Sequence, residues 1–214
     1  WCCLIDSTAQ VRRLAPEGLL KSLDTQLFLL LNSWNCPAMD TFFYYATNRF
    51  VWIPLYVLLF VLVIKRCKSN SWKMMLMIIV LIVCSDQVSV LIKDNVKRYR
   101  PCHNLDIQEK VHKVNNKCGG KYGFVSSHAT NTMALCVFLV LSVFRKERLI
   151  VGILTFYVLL VSYSRIYLGV HYPGDIIGGW ILGLLIAVIL FYILKRSIHE
   201  LTAIKLATDR EDRF

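Results

Sequence analysis

The sequence predicts an all-α fold, a polytopic transmembrane helical bundle, and three observations carry that prediction. Of the 214 residues, 56% are hydrophobic and the mean hydropathy is +0.52, above the range of ordinary soluble domains. The apolar residues come in long blocks rather than in a two-residue or 3.6-residue stripe, and blocks of about 18 or more read as membrane-spanning helices. The charged residues gather between the blocks.

Taken in order, residues 1–18 read as a leader or flexible segment. The apolar run there is too short and interrupted for an intact signal peptide. The opening Trp1-Cys2-Cys3, without Met, reads as a processed or truncated product or a foreign leader. Residues 19–34 are apolar but carry Lys21 and Asp24, which predicts an interfacial helix, with a sixth span as the alternative. Five blocks then read as spans: 50–64, 72–92, 126–144, 149–168 and 175–194. The first is short unless residues 42–47 extend it, and the aromatics between Trp34 and Trp52 read as an interface belt. Asp86, inside the second block, is expected to face the bundle interior, with Gln87 and Asn131 as candidate partners. Gly178, Gly179 and Gly183 predict close helix packing along the fifth block. Residues 19–196 thus make one membrane domain, and residues 197–214 a basic tail.

The positive-inside rule orients the bundle. The link after the first block holds Lys65, Arg66, Lys68 and Lys73, and the link after the third holds Arg145, Lys146 and Arg148. The tail adds Lys195, Arg196, Lys205, Arg210 and Arg213. These segments share one side, which the rule makes cytoplasmic. Residues 93–125 and the turn 169–174 lie opposite. That long loop also carries eight Lys and Arg, but long loops cross with less regard to charge. A net charge of +11 in a soluble protein would point to nucleic acid. Here the cations sit at helix ends, so anionic lipid headgroups are the expected partner and nucleic acid is not.

Three short strings fall on the non-cytoplasmic side: KDNVKRYRP (93–101), VSSH (125–128) and SRIYLGVHYPGD (164–175). Lys93 and Arg100 are seven residues apart, two turns and about 10.5 Å if the helix continues past Ile92. Lys97 and Arg98 read as a basic helix end at the headgroups. Ser126 and Ser127 open a span, where unpaired backbone N–H groups and the helix dipole favour an anion. His128 follows them. Arg165 beside a lipid-facing span calls for a paired group or a bound anion. His171 and Asp175 are four apart, so the carboxylate can fix one imidazole nitrogen and leave the other free as base or nucleophile. Pro173 suits a first helical turn. Read singly, each string also fits a bland account: a basic helix end, an ordinary cap, a structural His–Asp bond. Together they place a phosphate-sized set of cations and donors beside two histidines and a carboxylate.

This order of motifs resembles the type 2 phosphatidic acid phosphatase (PAP2) family, whose pattern is KxxxxxxRP, PSGH and SRxxxxxHxxxD. The first string matches at Lys93, Arg100 and Pro101, and the third at Ser164, Arg165, His171 and Asp175. In the second, Ser126 and His128 match, while Val125 stands for Pro and Ser127 for Gly. The resemblance spans about residues 40–195 and implies a mechanism. His171 attacks phosphorus and forms a phosphohistidine, with Asp175 orienting it. His128 protonates the leaving oxygen and then activates water. Lys93, Arg100, Arg165 and the Ser126 and Ser127 amides hold the phosphoryl oxygens. No metal or other cofactor is called for.

The implied substrate is a phosphate or diphosphate on a membrane lipid at the outer face of a bacterial cytoplasmic membrane. Lipid A is favoured, with undecaprenyl diphosphate, phosphatidylglycerol phosphate and phosphatidic acid as alternatives, because the basic outer loop fits a polyanionic headgroup. It fits a diphosphate nearly as well. A transporter would spread polar residues through several spans, and a silent lipid-binding relative would lack one of the histidines. Of the eight cysteines, Cys84 and Cys136 read as packing residues and Cys67 as cytoplasmic. Cys2 and Cys3 belong to no complete lipidation motif. Cys102 and Cys118 share the outer loop, where an oxidising compartment permits a bond. Sequence leaves that bond open.

Overall fold

The computed structural model describes residues 16–211; the predicted leader therefore lies largely outside the described residues. The described residues are mostly helical, with seven α-helices among them: α1 Pro16–Asn32, α2 Pro37–Ala46, α3 Ile53–Cys67, α4 Ser71–Val96, α5 Ser127–Leu139, α6 Arg148–Tyr167 and α7 Pro173–Glu211. A π-helical turn, Val140–Phe144, prolongs α5.

Four described segments are long and apolar enough to cross a membrane: Arg49–Val96, Ser127–Phe144, Arg148–Tyr167 and Pro173–Ser197. The first is 48 residues long and holds both of the first two predicted blocks. Lys68 divides it, with φ 44° and ψ −117°. One cavity of about 280 Å³ is lined by Tyr56, Leu59 and Val63 of α3 and by Met75, Ile78 and Ile82 of α4, so α4 folds back along α3 after the short turn Lys68–Asn70. At the turn end of this pair Arg66 bonds Glu147 at 3.0 Å, which puts the basic links after α3 and α5 at one end of the bundle.

Two expected boundaries move. Helix α4 stops at Val96, because Lys97 adopts a left-handed conformation (φ 52°). Arg100 therefore does not sit two helical turns beyond Lys93; it arrives on an extended segment, where Tyr99 bridges Tyr122. Helix α7 continues through the predicted tail as far as Glu211.

Helix α1 is half-buried. Leu20, Leu23, Leu27 and Leu30 are exposed, whereas Phe28 and Asn32 are buried. Asn32 Nδ2 donates to the Ile166 and Tyr167 carbonyls at 3.1 and 2.8 Å, satisfying orphan acceptors at the end of α6. Its Oδ1 accepts the His112 amide at 2.7 Å. Helix α2 is tied down by Asp40, which accepts from the Tyr167 hydroxyl at 2.6 Å and contacts His112 Nε2 at 2.7 Å. Burial pushes the Asp40 carboxyl up, but these hydrogen bonds and the His112 charge outweigh it and hold the group below its ordinary value.

Helix α7 lies tightly against α5. A Cβ at Gly179 would stand 2.8 Å from the Ser126 carbonyl, and one at Gly183 would collide with the Thr130 carbonyl. Both clashes are with backbone, which cannot swing away. Gly183→Val is therefore expected to destabilise the bundle by about 1–3 kcal/mol and to lower activity by separating the two helices that carry the site. A Tm in detergent equal to wild type would refute this.

Candidate active site

The three strings converge at the end of the bundle opposite the Arg66–Glu147 pair. The α7 N-terminus and the turn before it carry His171 and Asp175, and the start of α5 carries Ser126, Ser127 and His128. Lys93 comes from the last turn of α4 and Arg165 from the last turn of α6. Arg100 enters from the loop between α4 and α5.

His171 is 2% exposed and Asp175 fully buried. Asp175 Oδ2 lies 3.3 Å from His171 Nδ1 and accepts the Tyr172 amide at 3.0 Å. Backbone of Gly123 hydrogen-bonds the same imidazole. Burial, reinforced by the charges of Arg165, Arg100 and Lys93, holds His171 well below the ordinary histidine value. The ring is thus neutral, with Nε2 left free by the contacts at Nδ1. The fields of Arg165, His171, Lys93 and Arg100 also meet at His128.

The cations are each positioned by a neighbour. Lys93 Nζ donates to Ser127 Oγ, which also contacts Ser89 Oγ at 2.6 Å. The serine that replaces the family's glycine thus holds the lysine. Arg100 Nε donates to the Tyr122 carbonyl at 3.1 Å and Nη1 to the Cys118 carbonyl at 2.9 Å. Arg165 Nη1 donates to Thr47 Oγ1 at 2.6 Å, while its buried Nε has no partner among the described residues. An unpaired guanidinium N–H in a buried site suits an anionic oxygen.

One expected donor is already engaged. The Ser126 amide donates to the Asp175 carbonyl at 3.0 Å, so it is not available to a phosphoryl oxygen. Its hydroxyl is buried, has no partner among the described residues and caps no helix amide. The amides of Ser127 and His128 head the helix instead.

Sequence reasoning missed Arg98. It is not a headgroup cation. Its Nη1 donates to Asp175 Oδ1 at 2.8 Å and its Nη2 to Asp24 Oδ2 at 2.6 Å, and its guanidinium lies 4.2 Å from the centre of the Tyr172 ring. Asp24 in turn accepts the Gly174 amide at 2.8 Å. Helix α1 is thus wired through Arg98 to the carboxylate behind His171. Gly123 was missed too; a Cβ there would stand 2.9 Å from Asp175 Oδ2. The expected partners of Asp86 need correction. Asn131 Oδ1 accepts from Ser85 Oγ at 2.7 Å, and the Asp86 carboxylate makes no hydrogen bond or ion pair among the described residues.

Cys102 and Cys118 form a disulfide, with Cα atoms 6.0 Å apart. His103 lies beside them, but the bond takes both sulfurs out of any metal-ligand set. The Cys118 carbonyl is the group that holds Arg100. Opening this 16-residue separation is expected to remove roughly 3 kcal/mol of stability. It should also weaken binding of inorganic phosphate several-fold. Tm and phosphate inhibition with and without reductant check both, and unchanged phosphate inhibition after full reduction would refute the link to Arg100.

Residues 70–199 match the PAP2 superfamily, so the chain belongs to this phosphatase family. Fold and relatives together define a membrane lipid phosphatase. A lipid A 4'-phosphatase of Bacteroides thetaiotaomicron is 35% identical, across 77% of this chain and 73% of the relative. A lipid A 4'-phosphatase of Porphyromonas gingivalis is 33% identical, across 82% and 75%. A crystal structure of Aquifex aeolicus LpxE superposes with a TM-score of 0.62 at 26% identity, covering 79% of this chain and 95% of that one.

Proposed function

We propose that this chain removes a phosphate from lipid A at the outer face of a bacterial cytoplasmic membrane, without a metal ion, through a phosphohistidine intermediate. The observation that carries the reading is the buried, neutral His171, backed by Asp175 and facing Lys93, Arg100, Arg165 and His128. Nε2 of His171 attacks phosphorus as the bond to the leaving oxygen breaks. His128, protonated once the negative charge of the bound phosphate offsets the surrounding cations, gives that oxygen a proton and then takes one from the water that attacks the phosphohistidine, so phosphate leaves and both rings return to their starting state. The three cations and the α5 amides neutralise charge as it moves among the phosphoryl oxygens.

Relatives named as lipid A 4'-phosphatases at 33% and 35% identity support the substrate. The Cys102–Cys118 disulfide supports an oxidising side for the site. In this reading α3 and α4 each cross the bilayer, giving five spans, with α1 lying in the outer interface, residues 19–196 forming the catalytic unit and the tail in the cytoplasm.

The test is phosphate release by purified protein in detergent with EDTA, against lipid A, undecaprenyl diphosphate, phosphatidylglycerol phosphate and phosphatidic acid. Release from lipid A above the others is expected; preference for another lipid would reassign the substrate, and a strict metal requirement would refute the cation-based account. A membrane-impermeant thiol reagent, applied to intact cells after reduction, should label Cys102 or Cys118. Labelling only after permeabilisation would invert the topology.

A further inference from the structure

A second cavity of about 280 Å³ opens beside His128. Its walls include Arg49, Trp52, Tyr56, Asp86, Asn131 and Tyr157. The cavity between α3 and α4 is lined by apolar side chains and Tyr56, whereas this one carries a carboxylate, a guanidinium, an amide and three aromatic rings.

Asp86 lies inside a candidate membrane span, where a charged group is expensive and is retained for a function by default. The carboxylate makes no hydrogen bond or ion pair among the described residues, although the field of Lys93 reaches it. Asn131 spends its Oδ1 on Ser85, and its Nδ2 donates to no described group. The aromatic wall is fixed: Trp52 Nε1 donates to the Ala46 carbonyl at 2.8 Å, its ring meets Tyr157 at 4.5 Å, and the Tyr56 and Tyr157 hydroxyls lie 2.7 Å apart. An unused acceptor and an unused donor therefore sit among rigid rings next to the expected general acid.

Displacement at phosphorus puts the leaving oxygen opposite the attacking His171, on the side of the group that protonates it. The leaving alcohol must then occupy the cavity that His128 lines. A fatty or isoprenoid alcohol offers nothing to Asp86 and would bury the carboxylate unpaired, at substantial desolvation cost. A sugar ring offers O–H and N–H donors to Asp86, acceptors to Asn131 and a face to the aromatic wall.

We infer that this cavity is a leaving-group subsite for a sugar, in which Asp86 accepts a hydrogen bond from a hydroxyl or amide beside the scissile phosphate and Asn131 donates to a neighbouring oxygen. This inference rests on the phosphatase reading and adds the residues that select the alcohol.

The test compares inhibition of wild type and of Asp86→Leu by two probes that occupy different halves of the site. Inorganic phosphate probes the cation cradle, and a fully dephosphorylated, acylated glucosamine disaccharide probes the subsite. In Asp86→Leu the inhibition constant for the sugar lipid should rise at least tenfold and that for phosphate should stay within twofold. Asp86→Asn, which keeps the shape, should show the same split. Tm should not fall, since the Asp86 carboxylate lines the cavity and makes no hydrogen bond or ion pair among the described residues. Equal weakening of both probes with a lower Tm would make Asp86 structural, and unchanged inhibition by both would leave it outside the subsite; either overturns the inference. Wild type that binds phosphate but not the sugar lipid also overturns it while sparing the phosphatase. Wild type that neither turns over a lipid phosphate nor binds inorganic phosphate overturns the phosphatase reading itself.

Discussion

Replacing His171 by glutamine is expected to abolish phosphate release, by at least about a thousandfold, while the bundle still folds. Glutamine fills a similar volume and can still reach Asp175 Oδ2, so the 2%-exposed position does not become a void. A loss of less than tenfold, in protein with an unchanged Tm, would remove His171 from the role of nucleophile. The same residue sets a pH dependence. Its value is held well below the ordinary 6.5, chiefly by burial and then by the facing arginines and Lys93. Above pH 6.5 the ring is neutral in the folded and unfolded chains alike, and it contributes no slope. As pH falls below 6.5 the unfolded chain takes up a proton that the folded ring refuses, so stability declines in that direction. His171 stays neutral until pH drops to the folded value. The acid limb of kcat/KM, which reports the free enzyme, should therefore lie below pH 6.5; a limb at or above 6.5 would contradict the burial of the ring as the dominant effect.

The second large effect is expected at Arg98. Arg98→Ala leaves Asp175 and Asp24 without their shared cation. Breaking a buried pair in this way costs about 3–5 kcal/mol, and here the Asp175 side chain is fully buried and that of Arg98 is 23% exposed. Arg98 donates to the carboxylate behind His171, so its effect on turnover is expected to pass through Asp175. Two milder variants separate positioning from folding. Arg98→Lys should restore most of the Tm but not the turnover, because an ammonium cannot span both carboxylates as the planar fork does. Asp24→Asn should lower kcat with KM for the lipid nearly unchanged. If kcat and KM in Asp24→Asn match wild type, the link from α1 to Asp175 carries no function.

These two residues also mark where sequence reading succeeded and where it stopped. His171 and Asp175 were legible because their partnership is local, four residues apart on one helix start. The all-helical, membrane-crossing character was legible because the apolar residues form continuous blocks with charge at their ends. Arg98 was not, because its two carboxylates lie 77 and 74 residues away, and pairing at that range leaves no spacing signal. Arg98 and Arg100 do stand two apart before a proline, which in an extended chain puts both on one face. Reading the segment as helix hid that. Asp24 was visible as a charge in an apolar helix, but nothing in its neighbours says what it pairs with. The Ser126 amide was misread because helix N-termini are ordinarily open, and only the packing of α7 against α5 shows that Asp175 closes it. Asp86 was rightly expected to face inward; its lack of a partner emerges only in three dimensions.

The wiring of α1 sets the size of the heritable unit. The family match begins at residue 70, yet Asp24 braces Arg98, Asn32 fastens the end of the helix that carries Arg165, and Thr47 holds Arg165 itself. A chimera exchanging only residues 70–199 between two such enzymes would transplant His171 and strand the supports of its site. Variation before residue 70, outside the part that defines the family, is thus free to retune the rate of an otherwise unaltered catalytic core.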